Sequence, residues 1–272
     1  PGTYVYLQDS SDGSVKVFVG PHMVNLQNQV HPIEYDHERE EFNEGCNLRQ
    51  AVKKFVKVPQ GDYAILHNPV LSNAESKTDE LPSYRFPRTS TEEVAPNLEL
   101  GQRVVISGPA HFALWPEQRA DIMKGHILTS KQYVVVRVYD EQAARKHWKS
   151  GIMRKVESTS EDSVGVVTKE EVPENLSVGT RFVIKGTDYS FYIPPTGMEV
   201  LQEEGTDQYV RDAVTLERSE QCYLIGEDGS KRFERGPQVV FPKPEEAFFT
   251  LGSQSKFKPI ELSETEGLHL RA

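Results

Sequence analysis

The sequence predicts a mainly β protein, built of tandem small antiparallel β-sheet modules stacked in an elongated array, with little helix. The first observation is a run that occurs four times, in which strand-like residues that include a basic side chain lead to a glycine. In three of the four copies proline follows the glycine directly. Proline lacks an amide donor and glycine accepts unusual backbone angles, so such a turn ends strand pairing.

The four runs are KVFVGP at 16–21, RVVISGP at 103–109, RFVIKGT at 181–187 and KRFERGP at 231–237. Each is followed by a second apolar run. We predict that the following residues shape the turns: Gly20, Pro21, Gly108, Pro109, Gly186, Gly236 and Pro237. We predict that the following residues form the module cores: Val17, Val105, Val183 and Phe233.

The second observation is a pattern that alternates with the first. An aliphatic residue is followed by a short polar turn, after which an apolar or aromatic residue opens a new strand. The copies are VPQGDY at 58–63, LTSKQY at 128–133, LERSEQCY at 216–223 and LSETEGL at 262–268. Each pair of patterns describes a small antiparallel meander that is too small to be stable alone, so we expect neighbouring units to cover its apolar faces.

These patterns predict four modules. They span 1–57, 58–127, 128–201 and 202–272, and the last range also contains the start of a further module. Polar and turn-forming residues predict a long loop at 71–99 and an insertion at 141–175. Two short helices are expected, at 47–55 and 141–148.

Composition narrows the functional classes. The net charge is −10 with acidic residues spread along the chain, which makes nucleic-acid binding an unfavourable interpretation because phosphate contacts need clustered basic residues. No apolar run approaches the length of a membrane helix. Two distant cysteines predict neither a disulfide framework nor a metal site and favour a cytoplasmic protein. The chain starts at Pro1, so the sequence leaves open whether a targeting segment has been removed before it.

No catalytic motif or cofactor signature is present in the sequence, so we expect neither an enzyme nor a bound cofactor. The densest polar segment covers residues 31–41. Within it, His31, Asp36 and His37 are weak candidates for metal ligands. Adjacent ligands seldom point at one centre, so a solvated acidic loop or an interface edge is the preferred interpretation. In an assembly, its charge would pair with a basic surface of a neighbouring subunit.

Several short segments resemble the N-terminal repeats of the major vault protein family. The segments that carry the resemblance are YVYL at 4–7 with VFVGP at 17–21, VKVP at 56–59 with HNPV at 67–70, GTRF at 179–182, and LSETEGLHLRA at 262–272. The acidic-then-Trp signature of that family is missing. A phage or microbial relative that shares only the repeats is an alternative to a member of the vault family itself.

The resemblance implies a structural protein whose β modules self-associate into a shell, ring or tube. Its partners would be copies of itself and other particle proteins. Two alternatives stay open at this point. One is a virion component such as a capsid decoration, neck or tail protein, which would place the chain in a virion. The other is a metal-dependent or carbohydrate-active β protein.

Overall fold

A computed structural model describes residues 2–23, 30–39, 41–43, 45–71, 84–155, 172–252, 254–260, 262 and 264–269. Among the described residues, strands account for 45% and helices for 6%, and every pairing between their strands is antiparallel. The predicted mainly β class is therefore confirmed. The elongated array and the four module bounds stay predictions. The chain divides into two compact units, Pro1–Gly125 with Lys146–Ser150 and Pro195–Gly197, and His126–Arg145 with Gly151–Pro194 and Met198–Ala272.

The first module contains five strands and one short helix. They are β1 (Thr3–Asp9), β2 (Val15–Val19), β3 (Val30–Asp36), β4 (Glu41–Asn43), α1 (Leu48–Ala51) and β5 (Lys53–Lys54). Strand β1 lies between β2 and β3. The β1–β2 turn contains Gly13, whose φ of 72° is a left-handed conformation that glycine adopts without strain.

The second module contains six strands. They are β6 (Val56–Val58), β7 (Asp62–His67), β8 (Glu92–Val94), β9 (Arg103–Ser107), β10 (Ala110–Phe112) and β11 (Arg119–Lys124). Strand β7 lies between β9 and β11, and β6 pairs with β10. Strand β8 falls inside the predicted loop 71–99 and pairs with β2. The loop prediction is therefore wrong for the residues of β8. Lys16 Nζ on β2 lies 2.9 Å from Glu92 Oε1, and this ion pair was not evident from local composition.

The third module has six strands and the second helix. They are β12 (His126–Ile127), β13 (Gln132–Val138), α2 (Glu141–His147), β14 (Ile152–Lys155), β15 (Arg181–Lys185), β16 (Tyr189–Ile193) and β17 (Met198–Val200). A 3₁₀ turn at Trp148–Ser150 follows α2. Strand β13 lies between β15 and β17, and β12 pairs with β16. The predicted insertion 141–175 contains α2 and β14, and its residues 156–171 lie outside the described part of the chain.

The fourth module repeats the same arrangement with short connections. Its strands are β18 (Arg211–Asp212), β19 (Val214–Leu216), β20 (Gln221–Gly226), β21 (Lys231–Arg235), β22 (Gln238–Val240) and β23 (Glu246–Phe248). Strand β20 lies between β21 and β23, and β19 pairs with β22.

In the second and fourth modules, one face of the three-stranded sheet packs against the module's own pair of short strands. We call this the inner face and the opposite one the outer face, and we use the same terms for the corresponding strand positions of the first and third sheets. In the second module the inner face buries Ala64, Leu66 and Val104 against Val58 and Phe112. In the fourth module the corresponding cluster consists of Val214, Leu216, Cys222, Leu224 and Val240. Burying an aliphatic side chain of this size contributes about 1.5–3 kcal/mol, so the second and fourth modules each have a small core of their own.

Helix α1 is shorter than the predicted range 47–55, and helix α2 is close to the predicted range 141–148. Helix α1 begins with a capping box, in which Asn47 and Gln50 exchange hydrogen bonds between their side chains and backbone amides. It ends at Ala51 because Lys53 already pairs with β1 as part of β5. In the described part of the chain, neither helix has the length or the apolar character that crossing a membrane requires.

Candidate functional site: the glycine turn and its sheet

The predicted turn glycine of the second module makes a close backbone contact with the polar turn that opens the long strand. In that turn the amide of Asp62 donates to the carbonyl oxygen of Pro59 at 3.2 Å. The amide of Gly108 then donates to the carbonyl oxygen of Asp62 at 2.8 Å. A Cβ atom on Gly108 would overlap the carbonyl group of Pro59. The two sequence patterns, read separately along the chain, therefore meet at one point in space.

The third module has the same contact. Gly186 donates its amide to the carbonyl oxygen of Gln132 at 2.8 Å, and a Cβ atom would overlap the carbonyl group of Thr129. The side chain of Gln132 accepts from the backbone amide of Thr129 at 3.2 Å, which stabilises the turn.

The fourth module has the same glycine contact as the second and third. Gly236 donates to the carbonyl oxygen of Glu220 at 2.9 Å, and a Cβ atom would overlap the carbonyl of Glu217. The carboxylate of Glu220 accepts from the amide of Glu217 at 2.9 Å, and this bond lowers the pKa of Glu220. In all three copies glycine is needed because two backbones approach closely, rather than because of a left-handed φ.

The first module differs at this point. Gly20 donates to the carbonyl oxygen of Thr3 at 2.9 Å, but a Cβ atom on Gly20 would lie 3.4 Å from that oxygen, without the overlap seen in the other copies. The bonds from Gly20, Gly108 and Gly236 to the prolines that follow are cis, whereas Gly186 precedes threonine.

The four residues predicted as module cores all lie three positions before the turn glycine, and the structure places them on the outer face of their sheets. Val17 is fully buried and Phe233 is 41% exposed. Val105 and Val183 are half-buried. The core prediction is wrong for Phe233, because alternate residues of a strand face opposite sides and the inner face of the fourth sheet holds Cys222 and Leu224 instead.

The outer face of the first sheet is covered by residues that follow the glycine of the second module. Trp115 is fully buried in one cluster with Tyr6 and Val17. The hydroxyl of Tyr6 donates to the carbonyl oxygen of Leu114 at 2.9 Å. Sequence reasoning did not single out Trp115, although its position directly before a proline is shared with Phe241 and would have pointed to it.

Corresponding residues contact the edge of the second sheet and the outer face of the third. The hydroxyl of Thr196 accepts from the amide of Val105 at 2.9 Å, within the first compact unit. The ring of Phe241 packs edge-on against Tyr133 with centroids 6.1 Å apart, and Lys185 Nζ lies 5.4 Å from the Phe241 ring centroid. In each case the covering residue comes from the segment that follows the next turn glycine of the chain.

The candidate metal ligands are not brought together. His31 is exposed on β3 and pairs with Gln8. Asp36 accepts from the backbone amides of Glu38 and Arg39, which lowers its pKa. The following residue, His37, packs against Tyr35 at 5.1 Å.

The pKa of His37 is lowered by burial and by the positive charges of Lys53 and Arg119. Among the described residues, no group of three or more histidine, cysteine and acidic side chains is placed to hold a metal. The features that recur between the modules are therefore the glycine turns and the sheet faces, not a set of metal ligands.

No protein-family model and no curated protein matches the chain.

Proposed function

We propose that this chain is a structural subunit of the vault-repeat kind, which self-assembles through its β modules into a shell, ring or tube. The support is of two kinds. The glycine contact recurs at the corresponding positions of three modules, and other short segments of the same modules resemble the vault repeats. Repetition of one small unit is typical of proteins that build extended surfaces.

The observation that carries the proposal is the open edge of the strands that end in glycine. In an antiparallel pair, alternate amides point toward the partner strand. Gly186 donates toward β13, so the amide of Val183, three residues earlier, points away from β13. By the same alternation the amide of Phe233 points away from β20.

The corresponding edges in the first two modules are occupied. Strand β8 pairs with β2 along its outer side, and the outward amide of Val105 is bound by Thr196. Within the described residues, β15 and β21 each pair on one side only. An edge strand with unpaired amides is a template for a strand of another chain.

Charge favours a partner of the same kind. Strand β15 begins at Arg181 and ends at Lys185, and strand β21 begins at Lys231 and ends at Arg235, whereas the chain as a whole carries a net charge of −10. A basic edge on an acidic protein is complementary to other surfaces of a second copy, such as the acidic segment 34–41.

Light scattering after size exclusion, with negative-stain images of the heaviest fraction, tests the proposal. We expect regular particles far larger than the 30.8 kDa monomer. Val183→Pro with Phe233→Pro removes the two outward amides while leaving the inward hydrogen bonds intact, and should shift the protein toward monomer.

The matched control is Val183→Thr with Phe233→Tyr, which keeps both amides and should still assemble. A parent protein that stays monomeric at high concentration would contradict self-assembly. Particle symmetry would separate a vault-like shell from a virion component, and a cytoplasmic or virion location follows from that result. The metal-dependent alternative has no support in the described residues, where His31, Asp36 and His37 belong to no group of three or more side chains placed to hold a metal.

A further inference from the structure

An open cleft in the first compact unit is lined by residues from its first two glycine turns. Its volume is about 910 Å³, which lies within the range of small-molecule sites. Pro21 and Pro109, which directly follow Gly20 and Gly108, both line it. The other lining residues come from β6, β10 and the segment before β8. The cleft is therefore large enough to hold a small organic molecule.

The nitrogen-bearing side chains of this cleft come from the pair of strands β6 and β10. Lys57 and His111 are directly opposite each other in the register of that pair. Because Val58 and Phe112 face the core, alternation along each strand points Lys57 and His111 away from it, and both are exposed. The ring of Phe55 stacks against His111, with centroids 6.3 Å apart and an angle of 17° between the planes. A cation, an imidazole and an apolar ring therefore share one exposed surface.

The other modules do not repeat this combination. The two residues at the corresponding positions are Ile127 and Phe191 in the third module and Thr215 and Val239 in the fourth. Every module needs its turn and core residues, whereas a side chain that occurs in one module is not required by the repeated fold. The basic pair of the second module therefore needs an explanation other than the architecture.

The charge in the cleft has the opposite sign to the charge of the whole chain. The net charge is −10, yet the described residues that line the cleft include Lys57 and His111 and no acidic side chain. Thr89 and Ser90 line it as well. The available donors are an ammonium group, an imidazole N–H and two hydroxyl groups, a set that suits the oxygen atoms of an anion.

Ser90 has a left-handed backbone conformation, with a φ of 60°. This conformation is uncommon for a serine and costs free energy. Its amide donates to the carbonyl oxygen of Val19 at 3.0 Å, which ties the segment to the end of β2. Residues held in such conformations cluster at ligand sites. The strained backbone at Ser90 is therefore an indication of a binding site that does not depend on charge.

We propose that this cleft binds a small nucleotide-like ligand, that is, a planar ring that carries a phosphate group. The ring lies beside the stacked pair of Phe55 and His111, and the phosphate accepts from Lys57 and from the hydroxyls of Thr89 and Ser90. Lysine is a frequent phosphate ligand, and aromatic side chains bind any base because every base has a π face.

The expected ligand is a free mononucleotide rather than a polynucleotide, because the net charge of −10 disfavours a long chain of phosphates. The proposal does not depend on self-assembly, since every residue of the cleft belongs to the first compact unit.

Isothermal titration calorimetry of the 272-residue chain at low salt tests the proposal, with adenosine monophosphate as the probe. Adenosine supplies the planar ring without the phosphate, and ribose 5-phosphate supplies the phosphate without the planar ring. We expect adenosine monophosphate to bind about tenfold more tightly than either of them. A single-stranded adenine oligonucleotide should bind no more tightly than the mononucleotide, because the acidic surface repels additional phosphates.

Two substitutions test the two parts of the site separately. Lys57→Met removes the charge and should weaken the binding of adenosine monophosphate about tenfold while leaving adenosine binding unchanged. His111→Val introduces the residue at the corresponding position of the fourth module and should weaken the binding of both compounds about tenfold.

The matched control is Lys124→Met, which should bind like the parent, because Lys124 is exposed on β11 and does not line the cleft. All three substituted side chains are exposed, so the melting temperatures of these variants should stay close to that of the parent.

Three results would overturn the proposal. The first is adenosine monophosphate that does not bind, or that binds no more tightly than adenosine and ribose 5-phosphate. The second is binding that neither Lys57→Met nor His111→Val weakens, since the ligand would then lie elsewhere. The third is an oligonucleotide that binds more tightly than the mononucleotide, which would assign the cleft to single-stranded nucleic acid.

Nucleotide binding and self-assembly are distinguished by the variant Val183→Pro with Phe233→Pro, whose two substitutions lie in the second compact unit. We expect this variant to keep the parent's affinity for adenosine monophosphate whether or not it assembles. Loss of binding in this variant would show that the site needs a second copy, which contradicts its placement within one unit.

Discussion

The amide of Gly108 donates a 2.8 Å hydrogen bond to the carbonyl oxygen of Asp62, while the carbonyl of Pro59 occupies the space that a Cβ atom on Gly108 would need. This contact joins a turn and a strand end that lie more than forty residues apart in the sequence. Its recurrence at Gly186 and Gly236 leads to the first prediction.

Alanine at Gly108, Gly186 or Gly236 should each destabilise the protein by about 2–4 kcal/mol, because the added methyl group forces two backbones apart. Gly20→Ala is the matched control and should cost less than about 1 kcal/mol, since its nearest contact would be 3.4 Å. Urea unfolding of the four variants measures the difference. Equal costs at all four positions would show that the close approach is not what requires glycine.

Trp115→Ala should be among the most destabilising single substitutions in the first compact unit. The side chain is fully buried against the first sheet, so its removal leaves a cavity and should cost about 3–5 kcal/mol. Tyr6→Phe keeps the ring and removes the hydroxyl, which bonds to the Leu114 carbonyl and to Tyr4, and should cost about 1 kcal/mol. Thermal unfolding followed by near-ultraviolet circular dichroism reports both, and a loss at Trp115 no larger than that at Tyr6 would argue against the covering role.

His126 should make stability depend on pH. Burial lowers its pKa to about 4, below the ordinary value of about 6.5. Between these two values the unfolded chain binds a proton that the folded chain does not, so stability falls as the pH is lowered through that window. The full effect is about 3 kcal/mol.

His126→Val introduces the residue found at the corresponding position of β6 and β19 and should flatten this part of the pH profile. Chemical denaturation at a series of pH values between 4 and 7 measures the slope. If the variant kept the slope of the parent, the titrating group would have to be another residue.

Arg232 stabilises the fourth module through a carboxylate that is shielded from solvent. Its guanidinium donates to both oxygens of Glu246, at 3.0 and 2.7 Å, and to the carbonyl of Phe241. The side chain of Glu246 is 10% exposed, and the ion pair lowers its pKa. Arg232→Val should therefore cost about 2 kcal/mol, a value reduced for the partial exposure of the arginine.

The control for this substitution is Arg137→Val, which breaks the more exposed pair with Glu199 and should cost less than about 1 kcal/mol. Urea unfolding with and without 0.5 M salt, on the order of ionic strengths that screen exposed pairs, distinguishes the two. A larger loss at Arg137 than at Arg232 would contradict the assignment.

The mainly β class and the alternation of the two patterns could be predicted from the sequence, because glycine, proline and polar turns act locally on the backbone. Gly108, Gly186 and Gly236 could be identified for the same reason. Strand β8 could not be found, since Glu92 and its neighbours form a strand by pairing with β2, which lies more than seventy residues earlier in the chain.

What the sequence by itself determined is where strands end and which small units recur, since these depend on backbone angles and missing donors within a few residues. Only the tertiary structure decided which face of each sheet is covered. Val17 and Phe233 occupy the same position in the repeat, yet Val17 is fully buried and Phe233 is 41% exposed. Burial depends on whether a distant segment such as that of Trp115 lies against the sheet, and no local pattern records that contact.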